Sequence, residues 1–218
     1  MKKYSTVIFD LDGTLLDTLQ DLTDSINYVF RKYSYPEKTV PQICSYVGNG
    51  IRSLVERALP DGLNTPRFEE IFADFMAHYE IHCNDKTAPY NGVVELLRKL
   101  KAKGYKMAIV SNKFDSAVKD LAKLYFGDTI SVAIGESEGV RRKPAPDTVI
   151  KALNELGSDK SEAIFVGDSE VDFETAQNSG LDCISVLWGF RTREFLMERG
   201  ATVFASTPNE VLEIIEAD

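Results

Sequence analysis

Cysteine is nearly missing from this chain. Cys44, Cys83 and Cys183 are odd in number, far apart and without CxxC spacing. That argues against a disulfide framework and against a thiolate metal cluster. It suggests a reduced, cytoplasmic protein in which the three thiols are packing residues. Basic charge is short as well, 25 Lys and Arg against 34 Asp and Glu, for a net charge of -9. A nucleic-acid backbone or an anionic membrane surface would be repelled, so neither is expected as a partner. Long apolar runs are lacking. The run that follows Met1-Lys2-Lys3 stops at Asp10, which fits neither a signal peptide nor a membrane span. Histidine is reduced to His78 and His82, and because Tyr79 rather than a glutamate follows His78, HExxH is absent. The pair therefore reads as surface or core histidines, not as zinc ligands. No internal repeat, low-complexity tract or heptad is present, which leaves monomer and homodimer both open.

What is there begins with Val7-Ile8-Phe9-Asp10-Leu11-Asp12-Gly13-Thr14. An apolar, strand-like run ends in two carboxylates two residues apart, then a glycine and a hydroxyl. Acids crowded at the end of a buried strand repel each other and lose solvation, so a cation, a hydrogen-bonding loop or a chemical role must compensate. An acidic turn capping the next helix is the plain alternative. Only matching parts elsewhere in the chain decide between them.

A length of 218 residues is ample for one core and a second small domain. From Asp17 to Tyr33 the residues Leu19, Leu22, Ile26, Val29, Phe30 and Tyr33 recur at helical spacing. Ile51 to Leu59 and Arg67 to His82 also read as amphipathic helices, with Phe68, Phe72, Phe75 and Tyr79 as a buried face. From Gly92 onward, helices alternate with apolar runs at Lys106–Ser111, Glu162–Gly167, Asp182–Trp188 and Thr202–Ala205. Gly104, Gly157, Gly180 and Gly200 stand as left-handed helix stops before those runs. The pattern predicts an α/β fold: a Rossmann-like three-layer core with a parallel sheet, residues 1–16 and 88–218, carrying an inserted helical domain at 17–87.

In such sheets, ligands bind beyond the carboxyl ends of the strands. Here one strand ends in Asp10 and Asp12, the next in Ser111-Asn112-Lys113, and a third in Gly167-Asp168-Ser169. Independent acidic turns have no reason to share one sheet edge. Before the third strand comes Arg141-Arg142-Lys143-Pro144-Ala145-Pro146, where Lys143 is expected to be extended and Pro146 to open a helix. Three basic residues in a row are usually a solvated loop. An acidic pocket that receives phosphate, however, needs one fixed cation, and a lysine ammonium serves as a compact one. Ionised oxygens from Asp10 and Asp168 suit a hard octahedral ion such as Mg²⁺. Asp172, one turn beyond Asp168, is placed to orient a water on that ion or Lys143.

Together, Asp10-Leu11-Asp12-Gly13-Thr14, Ser111-Asn112, Lys143-Pro144 and Gly167-Asp168-Ser169-Glu170-Val171-Asp172 resemble the four ordered motifs of the haloacid dehalogenase superfamily. The resemblance implies a nucleophile at Asp10, an acid-base group at Asp12, phosphoryl contacts from Ser111 and Asn112 with Lys113 nearby, and charge neutralisation by Lys143. It also implies a metal held by Asp10, the main-chain carbonyl of Asp12, and Asp168. The superfamily's dehalogenases lack an acid at the position of Asp12 and use no metal, so the resemblance is to the phosphatase branch.

In that branch the insertion at 17–87 would be a mobile cap domain that excludes water and contacts the leaving group. Val47-Gly48-Asn49-Gly50-Ile51-Arg52 and Trp188-Gly189-Phe190-Arg191 are similar to phosphoglycolate phosphatases. Gly48 and Asn49 before a helix, with the Arg52 fork, suit a small carboxylate, although two glycines also simply make a tight turn. The expected activity is hydrolysis of a small phosphorylated metabolite, 2-phosphoglycolate first. Pyrophosphate, a nucleoside monophosphate or a sugar phosphate would suit the same machinery. A phosphomutase or a non-catalytic regulatory protein are the other classes this sequence allows.

Overall fold

The computed structural model describes residues 4–217. The chain divides into two compact units, Met1–Leu15 with Pro89–Asp218, and Leu16–Ala88. In chain order the first elements are β1 (Thr6–Phe9), β2 (Leu16–Asp17), α1 (Leu19–Lys32), α2 (Val40–Tyr46), α3 (Gly50–Ala58), α4 (Phe68–His82) and β3 (Ala88–Pro89). There follow α5 (Val93–Ala102), β4 (Lys106–Phe114), α6 (Asp115–Phe126), β5 (Val132–Glu136) and α7 (Asp147–Leu156). The last are β6 (Ala163–Gly167), α8 (Glu170–Ser179), β7 (Asp182–Val186), α9 (Arg193–Met197), β8 (Phe204–Ala205) and α10 (Pro208–Glu216). β2 and β3 pair as a short separate ribbon.

The larger unit is built on a six-stranded sheet in the order β5-β4-β1-β6-β7-β8. Every recorded pairing in it is parallel. All of β1 is buried, as a central strand covered on both faces must be. Burial of Val7, Ile8 and Phe9 contributes about 1.5–3 kcal/mol each. On one face Ile8, Ala108, Val110 and Phe165 pack with Val149, Ala152 and Leu153 of α7 and Ala176 of α8. The alternate residues Val7, Phe9, Ile109, Ile164 and Val166 are equally buried, which makes the sheet the middle of three layers.

Register builds the site. Phe9 stands level with Ile109 of β4 and Val166 of β6. Asp10 therefore leaves the sheet between those neighbours, with Ser111 and Asp168 reached two residues beyond Ile109 and Val166. The chain moves from β1 to β4 and β5 on one side, then returns to β6, β7 and β8 on the other. Strand order thus reverses at β1, the place where open α/β sheets bind ligands.

The smaller unit packs α1–α4 around Phe30, Ile43, Val55, Ile71, Phe75 and Tyr79. Phe68 is buried there too, and Phe72 is packed against the same cluster, as the aromatic spacing predicted. His78 stacks between Tyr28 and His82, with ring centroids 4.0 and 4.3 Å away. The three cysteines are unbridged and half-buried. No helix among the described residues is long and apolar enough to cross a membrane.

Of the elements that go beyond the sequence expectation, β5 and α2 show why. β5 follows α6, whose C-terminal Gly127 is right-handed, whereas Gly104, Gly157, Gly180 and Gly200 all have positive φ. The punctuation that marks the other strands is missing there. α2 is short, with a single buried residue, Ile43, too little for helical periodicity to show.

Candidate active site

At the carboxyl edge of β1, β4 and β6 four charged side chains are buried together. Asp10 is 6%, Asp168 0%, Asp172 1% and Lys143 4% exposed. Lys143 Nζ lies 2.6 Å from Asp10 Oδ1 and 2.6 Å from Asp172 Oδ1. Burial alone would lower the Lys143 pKa, but Asp10 and Asp172 carry it above the ordinary lysine value. Asp10 Oδ2 takes no hydrogen bond from the described residues, while Oδ1 is held by the ammonium.

Lys143 reaches this position through Asn112. The Asn112 amide donates to the Lys143 carbonyl at 3.0 Å, and Lys143 N–H donates to Asn112 Oδ1 at 2.7 Å. One side chain thus brackets the Lys143 backbone. Strand alternation sends Ser111 and Lys113 to the opposite face from Asn112. There Ser111 Oγ donates to Asp12 Oδ2 at 3.3 Å, and Lys113 Nζ pairs with Asp12 Oδ1 at 3.3 Å.

Asp172 is placed by a helix cap. Ser169 caps α8, its N–H and hydroxyl donating to Asp172 Oδ2 at 3.0 and 2.6 Å. With Lys143 on Oδ1, both oxygens of Asp172 are engaged. Asp168 accepts from the Thr14 hydroxyl at 3.0 Å and from Phe190 N–H at 2.7 Å. Sequence reasoning missed Ser169, Phe190 and the Thr14 bond. The Ser-x-x-Asp spacing from Ser169 to Asp172 is a capping-box signal that could have found the first. Nothing local marks Phe190 as a partner of Asp168.

One oxygen each from Asp10, Asp168 and Asp172 lie within 4.8 Å of one another. Three carboxylates thus face one ammonium. Burial, and then Asp172, raise the Asp10 carboxyl well above its ordinary range and push Asp168 up to about 7. Hard oxygen donors with this deficit of positive charge fit a divalent cation of the Mg²⁺ type. Asp10 and Asp168 suit it best. Asp10 keeps one oxygen clear of hydrogen bonds from the described residues and Asp168 is held by neutral donors alone, whereas Asp172 has the Lys143 ammonium on one oxygen and Ser169 on the other.

Residues 7–186 match the model of one family, the haloacid dehalogenase-like hydrolases. The chain belongs to it. This haloacid dehalogenase-like hydrolase is 36% identical over 192 residues to phosphoglycolate phosphatase from Rhodobacter capsulatus, covering 85% of each chain. It is 32% identical to pyrophosphatase PpaX from Halalkalibacterium halodurans, over 97% of this chain and 96% of that one. Among solved structures, one from Lactobacillus delbrueckii subsp. bulgaricus, described as a candidate phosphoglycolate phosphatase, superposes with a TM-score of 0.95 at 36% identity. That match covers 99% of this chain and 100% of the other.

In the hydrolase's second unit, Gly48 and Asn49 lead directly into α3, and Gly48 and Gly50 have positive φ. The Arg52 guanidinium forks onto both oxygens of Glu69. It also lies over the rings of Phe68 and Phe72, 4.9 and 5.1 Å from their centroids.

Proposed function

We propose that this chain is a phosphatase that hydrolyses a small phosphomonoester by way of an aspartyl phosphate on Asp10, with 2-phosphoglycolate as the substrate to test first. The observation that carries the reading is Asp10 itself: buried, one oxygen fixed by Lys143, the other unencumbered. A weak nucleophile held in this way splits one difficult transfer into two easier ones.

In the first step Asp10 Oδ2 attacks phosphorus and the P–O bond to the leaving group breaks. Asp12 gives that oxygen its proton. In the second, Asp12 takes a proton from water as the water oxygen attacks the aspartyl phosphate, releasing inorganic phosphate and restoring Asp10. Acid-base assistance of this kind is worth roughly 10²–10⁴ in rate. Ser111 and the main-chain amide of Asn112 hold phosphoryl oxygens, and Lys143 balances charge that builds on them. Lys113, its ammonium 3.3 Å from Asp12 Oδ1, adds a second cation there. A carboxylate oxygen of Asp10, the Asp12 carbonyl and Asp168 would hold Mg²⁺, which when bound supplies further neutralisation of phosphoryl charge.

Residues 17–87 serve in this reading as the cap, with Gly48, Asn49 and Arg52 receiving the substrate's carboxylate. The likeness to phosphoglycolate phosphatase supports 2-phosphoglycolate. The relative named a pyrophosphatase makes pyrophosphate the second compound to assay. Phosphate release is measured from 2-phosphoglycolate, pyrophosphate, a nucleoside monophosphate and a sugar phosphate, with Mg²⁺ and with chelator. Release that requires Mg²⁺ and is orders of magnitude more efficient for 2-phosphoglycolate supports the full reading. Weak activity spread over the panel removes the substrate, and isomerisation of the sugar phosphate without release favours a phosphomutase.

A further inference from the structure

Trp188-Gly189-Phe190-Arg191 follows β7 and takes no part in the chemistry above. Yet it is fixed at three points. Trp188 Nε1 donates to the Thr14 carbonyl at 3.0 Å. Phe190 N–H donates to Asp168 Oδ2 at 2.7 Å. Arg191 Nε pairs with Glu170 Oε2 at 2.8 Å, both side chains largely buried. The Thr14 hydroxyl holds the other Asp168 oxygen. One buried carboxylate is thus gripped by two loops, and the Trp188 indole joins those loops to each other.

Gly189 explains how close they come. A Cβ there would collide with Asp168 Cβ, with its carboxyl carbon and with the Gly13 carbonyl oxygen. Gly13, at φ +91°, closes the other side: a Cβ on it would lie 2.5 Å from Asp168 Oδ2. Any side chain at position 189 must therefore displace either Asp168 or the backbone that follows Asp12. Asp168 is one of the three groups assigned to the cation, and the Gly13 peptide adjoins a second, the Asp12 carbonyl.

We propose that Trp188–Arg191 is the positioning element of the cation site, holding the Asp168 carboxylate and the Asp12–Thr14 backbone in one fixed relation. The inference rests on the reading of Asp168 as a metal ligand. Donors to both oxygens fix the rotamer of a ligating carboxylate, and loss of such partners typically weakens metal binding by about 10–100-fold.

The test is Mg²⁺ affinity of the full chain by calorimetry, for wild type, Trp188→Phe, Gly189→Ala and Asp168→Asn. Trp188→Phe and Gly189→Ala are expected to bind Mg²⁺ about 10–100-fold more weakly. For Trp188→Phe, kcat/KM should recover at saturating Mg²⁺, with an unchanged far-ultraviolet spectrum and thermal midpoint in chelator. Recovery by excess metal is a readout that a general packing defect would not give. If Gly189→Ala does not fold, Trp188→Phe decides alone. Wild-type affinity in the loop variants, with affinity lost in Asp168→Asn, overturns the loop's role and leaves the metal reading standing. Wild-type affinity in Asp168→Asn overturns both.

Discussion

Lys143 Nζ lies 2.6 Å from Asp10 Oδ1 with both side chains buried; Asp10 follows β1, where the strand order reverses, and Lys143 lies in the loop between β5 and α7. In the proposed mechanism this contact leaves one Asp10 oxygen for attack and sets a positive charge where phosphoryl charge would develop.

Removing that charge leaves Asp10 and Asp172 facing each other without their cation. Lys143→Met should lose phosphate release and destabilise the chelated protein by about 3–5 kcal/mol, the usual cost of breaking a buried pair. Denaturant unfolding followed by fluorescence of the chain's single tryptophan measures it, since Trp188 lies in the same unit. An unchanged midpoint would show that the ammonium does not stabilise these carboxylates.

Asp12 is predicted to matter in proportion to how badly the leaving group needs a proton. Asp12→Asn should lower kcat on an alkyl phosphate by roughly 10²–10⁴. With an aryl phosphate, whose phenolate leaves unaided, the loss of the first step should shrink in a single-turnover experiment. Equal losses on both would assign Asp12 a role other than acid catalysis.

Cation binding should depend on pH in a defined direction. In the metal-free site burial, and then Asp172, push Asp168 up to about 7, so Mg²⁺ must displace a proton at lower pH. Because the folded value exceeds the unfolded one, this group's contribution to metal-free stability is present at low pH and lost as pH rises through about 7. Mg²⁺ should therefore raise the thermal midpoint more near pH 8 than near pH 6. An equal shift at both would contradict that protonation state.

Arg52 and Glu69 give a test of the cap reading. The guanidinium is forked onto Glu69, so a substrate carboxylate must compete for it. Glu69→Gln should lower KM for 2-phosphoglycolate, whereas Arg52→Ala should raise it, with little effect on pyrophosphate. If neither moves KM, Arg52 serves only its partner in the helical unit.

Much of the core site was legible because strand ends are written in sequence: an apolar run stopping at Asp10, at Ser111 or at Asp168 announces where a parallel sheet presents polar groups. That Ser111, Asn112 and Lys113 end a strand was legible too, but not that Asn112 would bracket the Lys143 backbone or that Lys113 would find Asp12. Those pairings join residues about 30 and 100 positions apart, and no local pattern encodes them. Phe190 is the clearest case, since its contribution is a main-chain N–H that any residue but proline could offer. β5 escaped notice because its helix lacks the left-handed glycine stop found elsewhere.

The most direct measurement is the covalent state of Asp10 during turnover. Wild-type enzyme with Mg²⁺ and excess phosphomonoester is acid-quenched and mapped by peptide mass spectrometry beside Asp10→Ala. The account predicts a phosphoryl group on the Asp10 carboxylate, and in the variant neither that adduct nor phosphate release. Sustained release by Asp10→Ala, or turnover with the phosphoryl group on another residue, would contradict it.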